Sequence, residues 1–176
     1  MINALVIAAM LAVPATQTAP RCVTKTQMSD AAIVFAPYMV EALAETCRAH
    51  LPPEAFLVKN SGTLLARLKA ESVGHEASAA TAFIATMGAD APPMKEPEAF
   101  IKVMGSMTSG MMAQSIAPES CGEISGMVEA LAPLPAANIG MFAASLATLV
   151  SKSQGTKNKA KSGAKGFDNL EICKSE

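Results

Sequence analysis

The sequence predicts an all-α fold, an irregular antiparallel bundle of about five helices held by two disulfides. Three observations carry this. Apolar residues make up 51% of the 176, yet they are mostly Ala, Leu and Met, with aromatics at only 4%. That composition favours helices over sheets. Apolar side chains also recur at spacings of three and four in segments separated by Pro-containing turns. Finally, the chain carries four cysteines behind a leader-like start. With charged residues at 16%, the chain is too apolar to be disordered. Its formal charge of −1 gives no global reason to expect nucleic acid as a partner.

The first charged side chain is Arg21, and the apolar run Ala4 to Val13 before it has the length of a signal h-region, too short to span a bilayer. Val13, Pro14 and Ala15 put small or modest residues at the −3 and −1 positions. Residues 1–15 are therefore expected to be a signal peptide, with Thr16 the mature start and Pro20 a poorer alternative. Cys22 follows Ala19-Pro20-Arg21, which does not match a lipoprotein box, so no lipid anchor is expected. The expected location is periplasmic or secreted. In such an oxidising compartment Cys22, Cys47, Cys121 and Cys173 form two disulfides by default. There is no C-x-x-C to suggest a redox pair or zinc knuckle, and spacing alone does not choose among the three connectivities.

The helical domain is expected over 16–150. Its first helix is predicted from about Ser29, as cap, to His50, with Ile33, Ala36, Val40, Leu43, Cys47 and Leu51 on one face and Pro52-Pro53 as the stop. Pro37 would kink this helix or mark its real start. After a short turn over Glu54 to Lys59, Ser61 caps a long helical stretch to Met87 that Gly74 can split. The Pro-rich segment Ala89 to Pro97 is a connector. The next helix starts near Pro97 and carries Phe100, Met104, Met107 and Met111 at spacings of four, three and four, while Gly105 and Ser109 allow a neighbouring backbone to come close. Ser120-Cys121-Gly122-Glu123 fits a capping box ahead of Ile124, Met127, Val128 and Leu131. Pro133 and Pro135 interrupt, and a last helix carries Ile139, Phe142, Leu146 and Leu149 up to about Val150. Residues 151–166 hold five lysines and no acid and read as a linker, able to contact anionic surfaces. Residues 167–176 regain apolar side chains and are expected to dock on the helical domain. If consecutive helices alternate in direction, Cys47 and Cys121 fall at the same end of the bundle and Cys22 pairs with Cys173 at the termini.

Motifs for chemistry are weak. His50 lies in the last turn of a helix, where an imidazole interacts favourably with the dipole. His75-Glu76-Ala77-Ser78-Ala79 is not H-E-x-x-H. Gly122-Glu123-Ile124-Ser125-Gly126 misplaces the serine for G-x-S-x-G, and Ser162-Gly163-Ala164-Lys165 puts S-x-x-K in the lysine-rich segment. No catalytic residue, metal ligand or cofactor is therefore assigned. Met104, Met107 and Met111 are the candidate ligand-binding set: thioethers suit Cu(I), and methionine surfaces suit an apolar ligand or partner helix. The plainer expectation is that they fill gaps in the core.

Cys47-Arg48-Ala49-His50-Leu51-Pro52-Pro53-Glu54-Ala55-Phe56-Leu57 and Leu131-Ala132-Pro133-Leu134-Pro135 through Asn138 resemble segments of uncharacterised small exported helical proteins of Gram-negative bacteria. The resemblance implies the helical architecture and no activity. The expected function is a non-catalytic periplasmic interaction or structural protein, of inhibitor or immunity type as one variant, with an unknown protein partner, no nucleic acid and no transmembrane span. Alternatives are a binding module for Cu(I) or an apolar ligand on the Met-rich helix, and a hydrolase of unrecognised type, for which His75 and two or more acids would converge in a deep pocket.

Overall fold

The computed structural model describes residues 22–87, 95–154 and 172–173. The expected signal segment 1–15, the lysine-rich stretch beyond 154 and most of 167–176 lie outside them. The described residues form seven α-helices: α1 Lys25–Cys47, α2 Phe56–Lys59, α3 Ser61–Glu71, α4 Glu76–Met87, α5 Pro97–Ser115, α6 Cys121–Leu131 and α7 Ala136–Gln154. Arg48–His50 and Pro118–Ser120 are single 3-10 turns. The count exceeds five because the expected turn near Glu54 closes into the one-turn α2, and because Gly74, at φ 89°, ends α3 and divides it from α4. Only glycine adopts that left-handed conformation at little steric cost. The Gly74 N–H donates to Glu76 Oε2 at 2.8 Å, tying the turn to the start of α4.

The first helix begins earlier than its sequence pattern suggests. Thr24, not Ser29, is the cap: its backbone is extended, its hydroxyl accepts the Gln27 N–H at 3.1 Å, and the Thr24 N–H donates to Gln27 Oε1 at 2.9 Å. This is a reciprocal capping box with Gln at the third position. The helix runs through buried Pro37, which removes the donor for the Ile33 carbonyl without ending the element. The box expected at Ser120 does not form. Pro118–Ser120 is already a 3-10 turn, so Ser120 sits at φ −83°, ψ −9°, and its side chain makes no capping bond. A side-chain cap requires an extended residue at that point.

Helix α1 is central: α3, α4, α5 and α7 all pack on it. One side, through Ile33, Val40, Ala44 and Cys47, joins Leu57 of α2, Leu64 and Leu68 of α3, and Val128 of α6. The other, through Val34, meets Ala79 and Ala80 of α4 and Ile101 of α5. There Phe35 lies 6.1 Å from Phe83, itself 5.7 Å from Phe100 by ring centroids, an edge-to-face arrangement that adds to burial. A helix apolar on most sides is stable in water when surrounded in this way.

The disulfides are Cys22–Cys173 and Cys47–Cys121. The inner bridge is wholly buried and joins the end of α1 to the start of α6. The outer one anchors the chain end, where Cys173 N–H donates to the Val23 carbonyl at 3.1 Å and Ile172 pairs with Val23 in a parallel bridge. Ile172 and Cys173 thus meet Val23 and Cys22, the residues just before α1. No single helix among the described residues is long and apolar enough to cross a membrane.

Candidate functional site

The two last long helices turn their largest apolar side chains outward. In α7 the residues against the body are Ala136, Gly140 and Ala144, one turn apart. A Cβ on Gly140 would lie 2.8 Å from Ile33 Cγ1 and 2.8 Å from the Ser29 carbonyl oxygen of α1. The backbones therefore approach through the small residues. Met141, Phe142, Leu146 and Leu149 lie on the opposite side, Phe142 with 60% and Leu149 with 64% of its surface exposed. The expected core face of this helix, Phe142-Leu146-Leu149, is thus its outer face; of the predicted set only Ile139 packs against the core. The helix also extends to Gln154, four residues into the expected linker.

Helix α5 repeats the pattern. Its buried residues are Ile101 and Gly105, and the Tyr38 ring occupies the space a Cβ on Gly105 would need, 2.6 Å away. Ser109 Oγ donates to the Tyr38 carbonyl at 3.0 Å. The close approach read from Gly105 and Ser109 is therefore present, while Met107 (56% exposed) and Met111 (71%) face outward with Val103, and only Met104 is half-buried. The expectation that the methionines fill the core is corrected for Met107 and Met111: Gly105 seats the Tyr38 ring on the inner side, and the helix is rolled accordingly. Burial, followed by the charges of Glu41 and Glu76, holds the Tyr38 phenol above its ordinary value.

The polar candidates have structural partners. Ser125 is buried, and its hydroxyl accepts the Leu57 N–H of α2 at 3.2 Å, so the near-motif serine satisfies a backbone donor. His75 Nδ1 lies 2.7 Å from Asp30 Oδ1, joining the α3–α4 turn to α1. His75 thus meets one carboxylate. His50 is exposed in the 3-10 turn after α1. Among the described residues no three His, Cys, Asp or Glu side chains converge as metal ligands, and every described cysteine is in a disulfide. Ser162 and Lys165 lie outside the described residues.

A shallow groove of about 220 Å³ lies where Phe56 and Leu64 meet Arg67 and Ala132. Arg67 is occupied there by the fold: its guanidinium donates to the Ala132 carbonyl at 2.5 Å and the Leu134 carbonyl at 3.2 Å, at the end of α6. Glu71, one turn along α3, accepts the Ala136 N–H at 2.6 Å. A cation at the end of α6 and a carboxylate at the start of α7 complement both helix dipoles and fix the corner between them. The sequence pointed to none of this pair, since a salt-bridge spacing of four reads as a solvated face.

Among the described residues, α5 and α7 thus each present an outward stripe of large apolar side chains while resting on α1 through small ones. No family model, no curated protein and no solved structure matches the chain.

Proposed function

We propose that this chain is a non-catalytic interaction protein of an oxidising, periplasmic or secreted, environment, with an inhibitor or immunity role as one form. The observation that carries the reading is the outward placement of large apolar side chains, Met107 and Met111 on α5 and Phe142, Leu146 and Leu149 on α7. Contiguous exposed apolar surface marks contact sites. The two disulfides support the compartment, because such bonds persist where thiols are not kept reduced. The test is capture from periplasmic extract by the wild type and by Met107→Glu/Met111→Glu and Phe142→Glu/Leu149→Glu. A component retained by the wild type and lost from one face variant supports the reading. Identical capture by all three proteins contradicts it.

A second reading is favoured by the exposure of the Met107 and Met111 thioethers: a soft-metal or apolar-ligand module using Met104, Met107 and Met111. Anaerobic calorimetric titration with Cu(I) tests it. Affinity unchanged after Met104 and Met107 become Leu removes the copper form.

A further inference from the structure

We infer that the outer face of α7 docks on an anionic lipid bilayer; this names a partner for the interaction reading above and rests on it. At 100° per residue, Met141, Phe142, Ser145, Leu146 and Leu149 fall within an arc of about 140°, opposite the Ala136, Gly140 and Ala144 side that rests on α1. From Met141 to Leu149 the stripe is about 12 Å long at 1.5 Å per residue. The one polar residue within that length and arc, Ser145, is neutral. Such a stripe suits a helix lying in the interface plane, its apolar side at the boundary of headgroups and acyl chains. The helix is not long and apolar enough to cross by itself, and the α6–α7 pair that reaches the required length together is bent by 119°.

Charge selects the partner. From Ala130 to Phe167 the sequence contains no acid, while Lys152, Lys157, Lys159, Lys161 and Lys165 follow the stripe directly. A basic cluster adjoining an apolar helix face is attracted to anionic headgroups. A second copy carries the same five lysines and so offers them no complementary charge. The outer face of α5 lacks the pattern, starting beside Glu96 and Glu98 and being followed by Glu119.

The test is co-sedimentation of the full oxidised chain with vesicles of phosphatidylcholine alone and of phosphatidylcholine with phosphatidylglycerol. The expected result is binding to the anionic vesicles at least tenfold stronger than to the neutral ones, and weakened by salt. Phe142→Glu/Leu149→Glu removes it while leaving the unfolding midpoint near that of the wild type, because both side chains are already outside. Changing the five lysines to Gln weakens it at least tenfold. No binding to anionic vesicles, or binding that survives Phe142→Glu/Leu149→Glu, overturns the inference; the second outcome also covers adhesion through the Ala4–Val13 run. A dimer in sedimentation equilibrium that these substitutions dissociate, without vesicle binding, overturns it in favour of self-association. Vesicle failure with face-dependent protein capture leaves the interaction reading standing, so the two fail separately.

Discussion

Replacing Gly140 with Ala asks whether α7 rests on α1 through its small residues. In an exposed helix interior the exchange stabilises by about 1 kcal/mol, since Ala has the higher helix propensity. Gly126 of α6 provides that reference: a Cβ there meets nothing within 4 Å. At Gly140 the new Cβ would stand 2.5 Å from Ser29 Oγ, 2.8 Å from Ile33 Cγ1 and 2.8 Å from the Ser29 carbonyl oxygen. The hydroxyl can rotate away, but the carbonyl belongs to the α1 backbone, so the helices must part. Overpacking of this kind costs about 1–3 kcal/mol, which offsets or exceeds the propensity gain. The two variants should therefore differ by about 1–3 kcal/mol, with Gly126→Ala the more stable. At roughly 2–4 °C per kcal/mol for a chain of this size, the separation in Tm is about 2–12 °C. Thermal and urea unfolding followed by far-UV circular dichroism, with the disulfides intact, reads it. A Gly140→Ala protein as stable as Gly126→Ala would refute the packing of α7 on α1.

Three further outcomes follow from the same geometry. Tyr38 is the sole tyrosine and there is no tryptophan, so absorbance titration reads one phenol: its midpoint lies above that of the unfolded chain, and stability present below about pH 10 is lost as pH rises through the folded value, a loss that Tyr38→Phe abolishes. A Cys47→Ala/Cys121→Ala protein, relieved of a bridge between residues 74 apart, loses about 4 kcal/mol in urea unfolding by loop-closure entropy, and unchanged stability would contradict the bridge. Ser125→Ala strands the Leu57 N–H and costs about 1–3 kcal/mol in the same assay, with a negligible change arguing against the buried bond.

Helix existence was legible because spacings of three and four survive whichever way a helix is rolled. The roll itself was not. In α5 and α7 the large side chains form the more conspicuous stripe, Phe100-Met104-Met107-Met111 and Phe142-Leu146-Leu149, and a hydrophobicity argument turns it inward. The structure instead packs Ile101 and Gly105, and Ala136, Gly140 and Ala144, because small residues let a helix approach α1 closely enough to exclude water. Gly105 and Ser109 had signalled this for α5; the equivalent spacing in α7 carried the same signal. Caps show a similar limit. Ser120-x-x-Glu123 and Thr24-x-x-Gln27 look alike as strings, but only Thr24 has the extended backbone a cap needs, whereas Pro118 starts a turn that carries Ser120 into helical geometry. The Asp30–His75 and Arg67–Glu71–Ala136 contacts depend on which helices meet, and local periodicity holds no such information.

Whether the large apolar faces look outward is tested most directly by hydroxyl-radical footprinting of the native, oxidised protein, with peptide-level mass spectrometry as readout. The account expects Met111, Phe142, Leu146 and Leu149 to be modified readily, while Ile33, Leu57 and Leu68 stay protected until the chain is unfolded. Protection of Phe142, Leu146 and Leu149 equal to that of Leu68 in the monomeric protein would place that face inside the fold and contradict the interaction surface built on it.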